Sequence, residues 1–278
     1  MSLYKYVPPE RRDILRSLRI RFTQPGAQND PFELRPTVNR FRSHEVARGA
    51  LSKPLSEEWD RQFSDKILKQ FGQQLVDEIE RKSPGYLAAQ KEAALAMADI
   101  ESDCAARDEI NRLLNTLGIL SLSDTPSDLL MWTHYAANHT GLVLEFDDGH
   151  SWFWVKRPEG DDCGNLRKVS YADQPSSGFL AELKAHEVFY TKGTRWEYER
   201  EWRVVRPLVE SSLELPGGVF LFDIPEGVIT GVIVGLRVST DSLRELRGIL
   251  HNSPKLAKVR FGRIVEGKLS NHLEVVWA

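Results

Sequence analysis

Cysteine is nearly absent from this chain. Its 278 residues include only Cys104 and Cys163, far apart and without a CxxC partner. That spacing excludes a disulfide framework and a cysteine zinc centre, and it fits a reducing cytoplasm. No apolar run approaches membrane-spanning length. The opening residues Met1 to Tyr6 lack the apolar core of a signal peptide. A cytoplasmic protein with no membrane partner is therefore expected. A large excess of charge of one sign is also lacking. The formal net charge is −3, which offers no broad basic footprint for duplex nucleic acid. Metal-ligand spacing is missing too. His134 and His139 are five residues apart, so a helix would point them in different directions. Asp147-Asp148 and Asp161-Asp162 have no third ligand and read as solvated turns. No metal is expected. GxGxxG, Walker and GxSxG motifs do not occur.

What is present is an ordinary globular composition with enough apolar material for a sizeable core. The pattern predicts an α+β fold over residues 1–278, a single domain. Its twisted, mainly antiparallel sheet carries short helices and a helical insertion over 39–117. Leu3 to Val7 reads as a strand, Glu10 to Leu18 as a helix, and Ile20 to Thr23 as a second strand. The stretch Tyr86 to Leu117 contains no Pro or Gly and reads as helix. Ile119 to Ser123 is a strand, and Asp124 to Asp128 a turn able to cap a helix over Leu129 to Asn138. Leu142 to Phe146 and Arg167 to Tyr171 are strands, and Phe179 to Val188 a helix. Further strands are read at Arg203 to Val209, Val219 to Asp223 and Val228 to Val234. Asp241 to Leu250 is a helix, followed by strands near Val259 and Val275.

Three constellations carry candidate chemistry. In Asn29-Asp30-Pro31-Phe32-Glu33, Pro31 keeps Asp30 extended, and Asn29 and Asp30 can bond nearby amides. This is either a well-made loop or the wall of a ligand cleft. Ser121-Leu122-Ser123 precedes Met131-Trp132-Thr133-His134-Tyr135. A Trp, a His and a Tyr within one helical turn can stack on a flat heterocycle and donate a hydrogen bond, or simply supply core aromatics. The densest segment is Trp196-Glu197-Tyr198-Glu199-Arg200-Glu201-Trp202-Arg203. With a strand beginning near Glu201, Trp202 and Val204 face one side, and Glu201, Arg203 and Val205 the other. Glu201 and Arg203 are then about 6.6 Å apart along the backbone, close enough to pair. A carboxylate so held stays ionised, and suits hydrogen bonding to a sugar hydroxyl or stabilising a developing cation. The competing reading is an ion pair with no chemistry.

Taken together, Leu3-Tyr4-Lys5-Tyr6, Asn29 to Glu33, Leu130 to Ala136 with Gly141, and Trp196 to Arg203 resemble a large bacterial family catalogued as domain of unknown function 2971. More distantly, the chain resembles the ADP-ribosyltransferase fold, in particular its DNA-modifying toxin branch. Those proteins open on a strand carrying His or Arg, continue into a helix, and close on a strand with a catalytic Glu. Here Tyr4-Lys5-Tyr6, Ile14-Leu15 and Glu201 fall in that order, with Lys5 or a tyrosine at the first-strand position. The resemblance implies NAD as substrate and a nucleic-acid or protein acceptor, as in toxin or phage-defence effectors. It implies Tyr135 or Trp132 stacking on nicotinamide, and Glu201 bonding the ribose hydroxyl. The candidate catalytic residues are Glu201, Tyr135 and His134. The candidate NAD-binding residues are Tyr4, Lys5, Tyr6, Asn29, Asp30, Ser123, Trp132 and Arg203. The alternative is a non-catalytic ligand- or partner-binding module whose charge cluster is structural.

Overall fold

The computed structural model describes residues 1–30, 34, 37–38, 108, 111–112, 114–155, 164–173, 177–178, 188–267 and 272–278. The expected helical insertion over 39–117, and the helix over 179–188, fall almost entirely outside these residues.

One eight-stranded sheet organises the described chain. Its order is β15 (Leu273–Trp277), β14 (Arg260–Glu266), β13 (Ile229–Val234), β5 (Leu142–Asp147), β1 (Ser2–Val7), β4 (Leu117–Ser123), β10 (Glu201–Pro207) and β6 (Arg167–Lys168). All neighbours are antiparallel except β13 and β14. Between those two runs helix α3 (Thr240–Asn252), the crossover a parallel pair requires. The fold is thus α+β, with a mainly antiparallel sheet. A second sheet joins β11 (Leu213–Leu215), β12 (Val219–Asp223) and β2 (Arg19–Phe22). Two-residue parallel pairs link β3 (Thr37–Val38) to β8 (Ser177–Gly178), and β7 (Ser170–Tyr171) to β9 (Thr191–Lys192).

Strand alternation sorts the sheet into two faces. Leu3, Val7, Leu120, Leu122, Leu144, Phe146, Val204 and Val232 pack with Ile14 and Leu15 of helix α1 (Asp13–Ser17) and Leu246 and Ile249 of α3. Tyr6, Val143 and Ile233 face the other way, under Met131 and Trp132 of helix α2 (Leu129–Tyr135). Asp128 caps α2 by accepting from the Met131 amide at 2.9 Å, which satisfies an otherwise orphaned donor.

Several boundaries differ from the sequence reading. Residues 10–18 form a 3-10 turn, Pro9–Arg12, and then α1, closed by Leu18 in the left-handed region. Helix α2 stops at Tyr135, short of Asn138. Ala137, Asn138 and His139 all have positive φ (47°, 52° and 68°), and the Gly141 amide donates back to the Ala136 carbonyl at 2.9 Å. A Cβ on Gly235 would lie 2.0 Å from the His139 carbonyl oxygen, so this turn seats against a glycine. The strand expected over Arg167 to Tyr171 is two short strands in different sheets. The strand expected over Arg203 to Val209 starts at Glu201 and gives way to a 3-10 turn at Leu208.

Candidate functional site

The sheet opens between β1 and β4. Six residues of β1 pair with β5, but only Tyr4 pairs with β4, at Ser123. Further along β4, Ile119 exchanges both backbone hydrogen bonds with Thr23, at 2.9 Å each. The splayed strands leave a cleft of about 90 Å³, lined by Tyr4, Lys5, Tyr6, Asn29, Ser121, Ser123, Tyr135, Lys192, Glu199 and Glu201 among others. At ~30 Å³ per water, that is room for about three waters. It suits the small end of a ligand whose remainder lies outside.

The cleft wall is charged from within. A 3-10 turn, Thr194–Glu199, delivers Glu199, and β10 begins at Glu201. Arg200 between them sits at φ 46°, and this left-handed corner turns the chain from the 3-10 turn into the strand. Both carboxylates are buried. The Lys192 ammonium lies between them, 2.6 Å from Glu199 Oε2 and 3.0 Å from Glu201 Oε2. The Trp196 ring covers it at 5.0 Å. Arg203, two residues on and therefore on the same face, grips Glu201 with two prongs, Nε to Oε1 at 2.7 Å and Nη2 to Oε2 at 2.8 Å. Its Nη1 donates to the Phe189 carbonyl at 2.7 Å. The Glu201 amide donates to the Tyr171 hydroxyl at 2.7 Å.

A second chain of hydrogen bonds runs to the mouth. Asn29 Nδ2 donates to the Tyr135 hydroxyl at 2.6 Å, and that hydroxyl donates to Glu199 Oε1 at 2.5 Å. Opposite, the Lys5 ammonium donates to the Ser121 carbonyl at 2.8 Å. One such bond uses only one of its three donors.

Burial and charge pull against each other here. Burial drives the Lys5 ammonium down to about 8, with Glu201 and Glu199 resisting. Burial also acts to lower Lys192, but the two carboxylates outweigh it and hold this ammonium above its ordinary value. Burial raises the Glu201 carboxyl, opposed first by Lys192 and reinforced by Glu199. The two-pronged Arg203 contact favours the carboxylate as well. Burial pushes the Arg203 guanidinium down to about 9, still cationic at neutral pH. The Tyr135 hydroxyl is raised, by burial first and then by Glu199.

The structure brings together Tyr4, Lys5, Tyr6, Asn29, Ser123, Tyr135 and Glu201, all on the cleft. Arg203 stands behind Glu201, and Asp30, itself buried, adds its charge to the field at Arg203. Two residues fall elsewhere. Trp132 is 0% exposed in the core, donating its indole N–H to the Pro126 carbonyl at 2.8 Å, so it does not reach a ring in the cleft. His134 is exposed beyond the lining, with Nδ1 3.0 Å from the Tyr198 hydroxyl. Sequence reasoning missed Lys192, which no local motif marks. It also did not single out Glu199, which reaches the cleft only because the left-handed corner at Arg200 turns the chain between the two carboxylates.

The sequence model of a family described as "Protein of unknown function (DUF2971)" matches residues 131–204. The match supports that family, and it spans Tyr135, Lys192, Glu199, Glu201 and Arg203. No curated protein and no solved structure matches the chain.

Proposed function

We propose that the cleft is the catalytic site of an NAD-consuming enzyme, a transferase or glycohydrolase acting with a nucleic-acid or protein acceptor. One observation carries this reading. Lys5, Asn29, Tyr135, Lys192 and Glu201, drawn from distant parts of the sequence, converge around an opening instead of filling it. Perturbed titratable groups gathered in a cleft are characteristic of active sites.

The chemistry follows from the contacts. The glycosidic C–N bond breaks, nicotinamide leaves with the electron pair, and positive charge develops on the ribosyl carbon. The Glu201 carboxylate, kept ionised by Arg203 and Lys192, stabilises that charge and accepts from the ribose hydroxyl. The Ser121 hydroxyl, on the neighbouring strand, acts on Glu201 to hold its carboxyl lower. A substrate hydroxyl can take its place at little net cost. The acceptor, or water, then adds at the same carbon and releases its proton to solvent. In this reading Tyr135, bonded to Glu199 at the mouth, stacks on the nicotinamide ring.

Incubation of the pure protein with NAD tests this. Nicotinamide release, reduced about 100-fold or more in Glu201→Gln, is the expected result. No release from the native protein with any acceptor would sink the proposal.

One observation favours a second reading, a binding module with a structural ion-pair network. Glu201 is only 2% exposed, with charged partners on both oxygens. In that case Glu201→Gln lowers the melting temperature and leaves ligand affinity unchanged.

A further inference from the structure

A polar row crosses the α2 face of the sheet, beginning at the cleft. Strand register sets Glu201, Ser123, Tyr4, Glu145, Gly231 and Arg260 side by side on six adjacent strands. The next row in, with Tyr6, Val143 and Ile233, packs under α2 as core. Glu145 is 2% exposed on an interior strand. A buried carboxylate is costly unless paired, and Arg260 pairs it, Nη2 donating to both oxygens at 2.8 Å. The same guanidinium lies 4.0 Å from the centre of the Trp277 ring.

Gly231 makes this assembly fit. A Cβ there would lie 2.4 Å from Glu145 Oε2 and 2.9 Å from the Trp277 ring. Yet the Arg260 side chain is 54% exposed, and its Nε and Nη1 have no hydrogen-bond partner among the described residues. A guanidinium fixed on two sides and open on a third is a preformed fork for an oxyanion. Tyr4 lies between the fork and the cleft, since it pairs with Glu145 across β1 and β5 and also lines the cleft. Because Arg260 reaches across Gly231 to Glu145, roughly two strand spacings, about 10 Å, separate its guanidinium from the cleft.

We propose that Arg260, seated on Trp277 and oriented by Glu145, binds a phosphate of a nucleoside diphosphate whose other end enters the cleft. The choice of a nucleotide rests on the NAD reading, and the anion site rests on Arg260 alone. The cleft holds about 90 Å³, so a nucleotide must leave most of its length outside, on this face.

Calorimetric titration with ADP is the test. Arg260→Ala alone would strand a buried carboxylate, so the variant is the double Glu145→Gln, Arg260→Gln, which keeps a hydrogen-bonded pair without charge. The native protein should bind ADP, and the double variant about tenfold or more weakly. Adenosine should bind both alike, and ADP should quench indole emission less in Trp277→Phe. Equal ADP affinity in the native protein and the double variant would overturn the proposal, as would no ADP binding by the native protein. Inorganic diphosphate binding as tightly as ADP would overturn it too. Weakened ADP binding in the double variant, with no nicotinamide release by the native protein, would keep this site and reject NAD turnover.

Discussion

The two faces of the eight-stranded sheet follow opposite rules. On the face under α1 and α3, burial is achieved with Leu, Val, Ile and Phe. Where β4 and β10 meet the cleft on the other face, burial encloses Lys192, Glu199, Glu201 and Arg203. The apolar face gains from every area of surface it removes from water. The charged patch gains only through its partners, because an unpaired buried charge costs more than the pair contributes. A fold that needs only stability can use the first rule throughout. The second rule, applied around an opening, is what separates this region from a core.

The largest effect should come from breaking the charged patch. Arg203→Leu leaves Glu201 buried with one cation fewer, and chemical denaturation should register a loss of about 3–5 kcal/mol. On the apolar face, Leu144→Ala should cost about 2–5 kcal/mol by leaving a cavity. If Arg203→Leu costs no more than about 1 kcal/mol, as for a solvent-exposed pair, water already reaches the charged patch.

The two cleft lysines sharpen the comparison through pH. Lys5 is lowered from 10.5 to about 8 in the folded chain. Between those values the unfolded chain binds the extra proton, so the Lys5 contribution makes stability rise with pH across that window. Lys5→Met should therefore be more stable than the native protein at pH 7, and the gap should shrink toward pH 10.5. Lys192 is raised, so its stabilisation is complete below 10.5 and fades only above it. Melting temperatures of Lys5→Met and Lys192→Met across pH 7 to 10.5 should show a closing gap for the first and a steady deficit for the second. Parallel curves would contradict this assignment.

The smallest effect concerns the corner between the two carboxylates. Arg200 holds φ 46° and is exposed, a conformation that glycine adopts without the Cβ penalty. Arg200→Gly should change stability by no more than about 1 kcal/mol, on the favourable side. A large loss would mean that the Arg200 side chain matters to the cluster.

Much of this sheet was legible in the sequence. Alternation placed Trp202 with Val204, and Glu201 with Arg203, on opposite faces, and the structure keeps that division. Trp202 packs toward the apolar core, while Arg203 grips Glu201. Asp128 was readable as a cap because its chemistry is local. The end of α2 was not, because tertiary contacts set the left-handed turn, above all the seating of His139 on Gly235. The cleft was only half legible. Periodicity gives a residue its face but not the strand beside it, so the meeting of Lys5 with Ser121 depends on partners far apart in sequence, and that of Lys192 with Glu201 on the chain turning back through the 3-10 turn between them. Trp132 misled for the same reason. An aromatic stripe looks alike whether it covers a ligand or a core.

The most direct measurement pairs turnover with stability in one variant. Glu201→Gln should lower the melting temperature but still fold, since the buried Arg203 then faces one amide oxygen in place of a carboxylate while Glu199 still balances Lys192. Nicotinamide release from NAD should fall about 100-fold or more. A variant that melts far lower yet releases nicotinamide at the native rate would contradict the account, and would make the cluster a structural ion-pair network.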